Sequence, residues 1–151
     1  MFRTCDRNRD GEVRSERPEG GGDHGIALFD NDITVKYSGA GIITGGDAAL
    51  YMRSDADDST FIVRGTDKGS IILLGQDGVE LDVGVEGGTV DLDGADLGKS
   101  DARLAEEGVD AYTNSGTTVS FDKGTIYSTG DGIITGEKSS VTVGADGLID
   151  T

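Results

Sequence analysis

The sequence predicts an all-β fold, a single-stranded parallel β-helix (β-solenoid) with three short strands per coil and about five coils. Three observations carry this expectation. Glycine supplies 26 of 151 residues against one proline and no tryptophan, about 17% where ~7% is usual. Short segments of alternating apolar and polar residues recur in a fixed order of three. Each segment is followed by Gly, Asp, Asn or Ser, the residues that turn a chain sharply.

The first 24 residues stand apart. They hold five arginines and six acidic residues, close with Gly20-Gly21-Gly22, and offer nothing that could bury a core, so they read as a charged flexible leader. Residues 25–151 read as the solenoid, open at its C-terminal end. Its unit begins with Gly or Asp followed by an apolar alternation, at Gly25-Ile26-Ala27-Leu28, Asp47-Ala48-Ala49-Leu50, Gly78-Val79-Glu80-Leu81, Gly108-Val109-Asp110-Ala111 and Gly132-Ile133-Ile134-Thr135. The second part is Ile33-Thr34-Val35, Phe61-Ile62-Val63, Val90-Asp91-Leu92, Val119-Ser120-Phe121 and Val141-Thr142-Val143. The third is a glycine shortly before an aliphatic residue, at Gly41-Ile42, Gly69-Ser70-Ile71, Gly94-Ala95-Asp96-Leu97, Gly124-Thr125-Ile126 and Gly147-Leu148.

Alternation has the period of a strand. Strands this short are unstable alone, so ladder bonds and aliphatic stacks between successive coils must hold them. Aligning the units by their opening residue gives spacings of 22, 31, 30 and 24 residues. It also predicts two internal stacks, Ile26, Ala48, Val79, Val109, Ile133 and Val35, Val63, Leu92, Phe121, Val143. An antiparallel sandwich also uses many short strands, but not in a recurring threefold order. One interruption, Ser100 to Gly108, has a capping residue, helix formers and a closing glycine, and predicts a helical turn at a corner of the third coil.

Charge removes several functions. With 13 basic and 29 acidic residues the net charge is −16, which repels nucleic acid and anionic lipid. No apolar run approaches the ~20 residues of a membrane span, and Cys5 is the single cysteine. Met1-Phe2-Arg3-Thr4-Cys5-Asp6 lacks the apolar stretch of a secretory signal, while the repeat still runs at Thr151. The chain therefore reads as a piece of a longer one. Its last unit carries Val141, Val143, Leu148 and Ile149, an edge suited to end-to-end self-association that the net charge opposes at low salt.

The run Tyr112-Thr113-Asn114-Ser115-Gly116-Thr117, with Thr125-Ile126-Tyr127-Ser128-Thr129-Gly130-Asp131-Gly132-Ile133, resembles the passenger repeats of bacterial autotransporters, where N-S-G-T-I and G-D-G-I segments recur. Ser140-Val141-Thr142-Val143-Gly144-Ala145-Asp146-Gly147-Leu148-Ile149 is similar to the same repeat, and the resemblance spans residues 25–151. It implies a right-handed β-helix displayed outside Gram-negative cells, on the outer membrane or secreted. It also implies an adhesin-like, noncatalytic role toward a receptor or glycan on a host or neighbouring cell.

The residues offer four other chemistries. Asp6-Arg7-Asn8-Arg9-Asp10-Gly11-Glu12 matches the first half of a Ca²⁺ loop, with Asp6, Asn8, Asp10 and Glu12 as ligands. Its twelfth position is Arg17, a cation where a bidentate carboxylate belongs, so a solvated tail is the simpler account and no other cofactor is called for. Glu80 and Asp82 flank Leu81, and Asp91 and Asp93 flank Leu92. Residues two apart on a strand lie about 6.5–7 Å apart, within reach of glycoside hydrolysis, so a carbohydrate-active β-helix enzyme, lyase or hydrolase, is the alternative reading. A solvated acidic face is the bland account. Tyr51, Tyr112 and Tyr127 follow inward positions and are expected to point outward, as scattered surface residues or as a sparse ligand-contact strip. His24, the single histidine, marks the junction of leader and solenoid without a zinc or triad partner nearby.

Overall fold

The computed structural model describes the backbone of Cys5–Arg7 and Glu12–Ser15 and the whole of residues 23–151. Seventeen strands are present and no helix among the described residues. They are β1 (Cys5–Arg7), β2 (Glu12–Ser15), β3 (His24–Leu28), β4 (Thr34–Gly39), β5 (Gly41–Thr44), β6 (Ala48–Met52), β7 (Thr60–Gly65), β8 (Ile71–Leu74) and β9 (Asp77–Leu81). They continue with β10 (Thr89–Asp93), β11 (Ala95–Leu97), β12 (Val109–Ala111), β13 (Thr118–Asp122), β14 (Gly124–Tyr127), β15 (Ile133–Thr135), β16 (Ser140–Val143) and β17 (Gly147–Asp150).

From β3 onward every third strand joins the same sheet. The first sheet runs β1-β2-β5-β8-β11-β14-β17, the second β4-β7-β10-β13-β16 and the third β3-β6-β9-β12-β15. All pairings are parallel except β1 with β2. The chain is thus a β-solenoid of about five coils with three strands per coil, as the repeat predicts.

One face of each strand fills the space between the sheets. In the second sheet Tyr37, Val63, Leu92, Phe121 and Val143 share one register position, and Val35, Phe61, Val90, Val119 and Val141 another. In the first, Ile43, Leu73, Leu97, Ile126 and Ile149 are aligned. In the third the column is Ile26, Leu50, Val79, Val109 and Ile133. The middle coils' members are buried and belong to one hydrophobic cluster. Burying one such side chain contributes about 1.5–3 kcal/mol.

Two expected stack members are displaced, each by two residues. Leu50 occupies the position assigned to Ala48, which instead pairs with His24 and Asp77. Tyr37 occupies the position assigned to Val35, which pairs with Phe61. Column spacings in the third sheet are accordingly 24, 29, 30 and 24 residues (26 to 50, 79, 109 and 133). The cause is general: a slip of one residue turns a strand inside out, but a slip of two leaves every side chain on its original face. Alternation is therefore blind to it.

The expected helical turn is also absent. Lys99 and Ala102 exchange N–H···O bonds of 3.1 and 3.2 Å around Ser100-Asp101. The N–H of Leu104 donates to Tyr127 O, and that of Glu106 to Gln76 O. Leu104 is buried in the core. A helix of nine residues is marginal, and here the donors it would need are committed to neighbouring coils. At the other end, β1 and β2 lie beside β5 in the first sheet.

One corner is built the same way in every coil. Asp32, Asp58, Gly87, Gly116 and Lys138, each two residues before a strand of the second sheet, have φ of 57°, 55°, 69°, 64° and 55°. Their amides climb from coil to coil, from Asp32 N to Asp57 O, Asp58 N to Glu86 O, Gly87 N to Ser115 O and Gly116 N to Glu137 O, at 2.9–3.0 Å. The left-handed region costs a side-chain-bearing residue roughly 1–2 kcal/mol and glycine nothing. A Cβ on Gly116 would meet nothing closer than 3.7 Å, so only backbone strain opposes it.

Two outcomes follow, both read from denaturation midpoints. Val119→Asp places an unpaired carboxylate in a fully buried stack and is expected to cost about 3 kcal/mol or more. Gly116→Ala is expected to cost about 1 kcal/mol, and Lys138→Gly to gain a similar amount, through the corner conformation alone.

Candidate functional site

Along the outward face of the third sheet, Tyr51, Glu80 and Asp110 occupy one register position in three consecutive coils. Asp77 opens β9, Glu107 lies two residues before β12, and Asp82 follows β9. The same ladder that aligns the inward aliphatic stacks brings these side chains together. Asp77, Glu107 and Asp110 each offer a carboxylate oxygen within 4.8 Å of the other two.

The electrostatics are one-sided. Asp77 is buried, and burial, followed by the like charges of Asp110, Glu80 and Glu107, pushes its pKa up to about 7 against the opposing hydrogen bond from Glu107 N. That bond, Glu107 N to Asp77 Oδ1, is 2.8 Å long. Glu80 is also pushed up to about 7, first by burial and then by Asp110, Asp82, Asp47 and Glu106. Burial and the carboxylates of Asp110, Glu106 and Asp131 raise Glu107 as well. The Tyr51 hydroxyl donates to Asp82 Oδ2 at 2.8 Å. Burial and that bond raise the phenol's pKa.

The two carboxylate pairs seen in the sequence are thus treated differently. Asp91 accepts from Arg64 Nη2 at 2.6 Å, and Asp93 lies 3.9 Å from Lys123 Nζ, so the pair on the second sheet is countered by cations. Glu80 and Asp82 line a shallow depression of 180 Å³ with Asp110 and Tyr112. A larger depression of 350 Å³ adjoins it, lined by Glu86, Tyr112, Asn114 and Glu137 among others. Oxygen donors of this kind suit hard cations such as Ca²⁺ or Mg²⁺, and Asp77, Glu107 and Asp110 are the described residues that could share one.

The three tyrosines do not form a single strip. Tyr51 and Tyr112 border the acidic face of the third sheet; Tyr112 is 65% exposed. Tyr127 sits in the first sheet with the Arg103 guanidinium 5.8 Å from its ring centre. His24 does mark the first coil, but as part of β3, buried and stacked on Tyr51 at 3.7 Å with 9° between the rings. The calcium loop reading falls on Asp6, Asn8, Asp10 and Glu12, whose side chains lie outside the described residues.

Sequence reasoning passed over Asp77 and Glu107. Their signal was present: an acid, a glycine and an aliphatic residue recur as Asp77-Gly78-Val79, Glu107-Gly108-Val109 and Asp131-Gly132-Ile133. A repeat carries every residue at the same offset onto the same corner, so an acid in that pattern predicts an acid column.

Comparison with family models, curated proteins and solved structures returns no match.

The raised carboxylates make stability depend on pH in an unusual sense. Asp77 and Glu80 titrate near 7 in the folded chain against 3.8 and 4.5 ordinarily. The folded state therefore binds more protons than the unfolded state between about pH 4 and 7, so their contribution is full below that window and lost as pH rises through 7. The thermal midpoint is expected to be higher at pH 5 than at pH 8. Asp77→Asn, which keeps an oxygen for Glu107 N, should stabilise on the order of 1 kcal/mol at pH 8, discounted for solvent screening, and flatten the profile. A midpoint that falls monotonically from pH 8 to pH 5 would contradict this account.

Proposed function

We propose that the chain is a noncatalytic β-solenoid segment of an autotransporter-like or adhesin-like protein, displayed at a cell surface or secreted. Its role is to extend or present a binding surface toward a receptor or glycan on a host or neighbouring cell. The observation that carries this reading is the economy of the coil. Inward positions are spent on stacks that run from coil to coil, which leaves polar and aromatic side chains on open outward faces, beside shallow depressions. Open faces suit contact with a large partner, whereas catalysis needs groups converging on a reacting atom in a cleft. Exposed Tyr112 beside a carboxylate-lined face adds contact area at low entropic cost. The autotransporter-like repeats support the same reading by analogy of architecture.

One observation favours the carbohydrate-active alternative. Glu80 holds a proton up to about pH 7 beside Asp82, and a protonated acid next to a second carboxylate is what glycoside cleavage requires.

A paired experiment separates the two. The chain, incubated with acidic and neutral polysaccharides, is expected to release no reducing ends and no unsaturated product, while retaining label on a glycan array or cell panel. Tyr112→Ala should weaken that binding several-fold without moving the thermal midpoint. Product formation that disappears in Glu80→Gln would establish the enzyme instead.

A further inference from the structure

Successive loops leave the third sheet after β9, β12 and β15, and residues of all three line the 350 Å³ depression. Tyr112 and Thr113 line both this depression and its smaller neighbour, so Tyr112 stands between the two. The two linings hold the carboxylates of Glu80, Asp82, Asp110, Glu86 and Glu137, and no lysine or arginine. Asp82 is already engaged, by the Tyr51 hydroxyl and by Val83 N. Glu86 and Glu137 are exposed and have no ion-pair partner among the described residues.

Asn114 adds an independent observation. It lines the larger depression although it is only 3% exposed. Its Nδ2 donates to Asp82 O at 2.6 Å. Turning the amide over would set two oxygens at that distance, so the orientation is fixed and Oδ1 is the atom left over. That oxygen is buried and has no hydrogen-bond partner. The coil above and the coil below cannot supply one. Ser115 pairs with Glu86, and Gly116 N donates to Glu137 O, which places Asn114 in one column with Val85 and Gly136. Val85 has no polar side-chain atom, and a Cβ at Gly136 would collide with Asn114 O. A buried acceptor without a donor is costly, and the depression is where a donor from outside the chain can be offered.

The charged groups here are all acceptors, and so is the orphaned oxygen. We propose that the larger depression docks an arginine side chain of a partner protein, its guanidinium donating to Asn114 Oδ1 and to Glu86 or Glu137 and lying against the Tyr112 ring. This names the partner chemistry of the presenting surface proposed above and rests on that reading. A guanidinium carries five donors in a planar fork, pairs with carboxylates and stacks on aromatic faces, whereas an ammonium is a strongly hydrated point charge. A neutral glycan would satisfy the oxygen but gain nothing from the uncompensated carboxylates, and an acidic glycan would be repelled. A hard cation has a different address, because Asp77, Glu107 and Asp110 are the acids that converge, and none of them lines this depression.

The test titrates the full chain with a fluorescein-labelled Gly-Arg-Gly-Arg-Gly peptide at low and at physiological salt, beside its lysine and citrulline counterparts and a labelled chitosan oligomer. The arginine peptide is expected to bind tightest, and the side-chain amide resonance of Asn114 to shift as it saturates. Glu137→Gln and Tyr112→Ala should each weaken it about fivefold with the thermal midpoint unmoved. Asp67→Asn, which removes one exposed charge at the corner between β7 and β8, should change it less than about twofold. Equal losses in Glu137→Gln and Asp67→Asn would overturn the proposal, as diffuse attraction to an acidic rod. Equal binding of the citrulline peptide, or no binding of any peptide, would overturn it too. Tighter binding of chitosan would replace the protein partner with a cationic glycan. Retention on the cell panel that excess arginine peptide does not compete would overturn the docking site and leave the presenting role standing. Peptide binding at this site with no retention on any panel would instead remove the presenting role and leave a guanidinium site without it.

Discussion

Everything in this molecule depends on the ladder of backbone hydrogen bonds between one coil and the next. Strands of three to six residues have no independent stability, and each becomes stable only when its neighbours above and below are already in register. Once that register is set, a residue type that recurs in the repeat is stacked on itself whatever its chemistry. The same constraint makes columns of Val and Leu inside, a column of left-handed residues at one corner, and a crowd of carboxylates outside. The hydrophobic columns contribute the burial that holds the coil. The acidic cluster is carried along with them at an electrostatic cost.

The carboxylates of the second and third sheets have different neighbours. Arg64 and Lys123 reach Asp91 and Asp93 from adjacent coils, so opposite charges alternate along that face. Around Glu80 the neighbouring carboxylates are Asp110, Asp82, Asp47 and Glu106, and like charges held together in partly buried positions retain protons. A rod built by repetition concentrates charge where the repeat places an acid, and relieves it only where a coil departs from the pattern.

The architecture was legible because glycine spacing and alternation both report the coil. The sheets, their parallel sense and the number of coils follow from those signals. Register was less legible. Ala48 and Val35 were misplaced by two positions because hydrophobic alternation is unchanged by an even slip, and only the corner residues, such as Asp32 and Asp58 with their positive φ, mark the true alignment. The stretch from Ser100 to Gly108 looked helical by composition, and local propensity lost to the inter-coil bonds of Leu104 and Glu106. Of the site, Glu80, Asp82 and Tyr112 were visible as outward residues, whereas Asp77 and Glu107 came into view only when the acid-glycine column was seen as a column.

The direction of the ladder bonds has a mechanical consequence. Hydrogen bonds between successive coils point along the rod, so a pull from end to end opposes them one coil at a time rather than all together. The three-residue strands β11, β12 and β15 make the shortest rungs. With spacings of 24 to 30 residues between aligned positions, each coil that gives way releases about 80–100 Å of slack. Under tension such a segment lengthens in steps, absorbing a tug by yielding part of its length while the remaining coils stay folded.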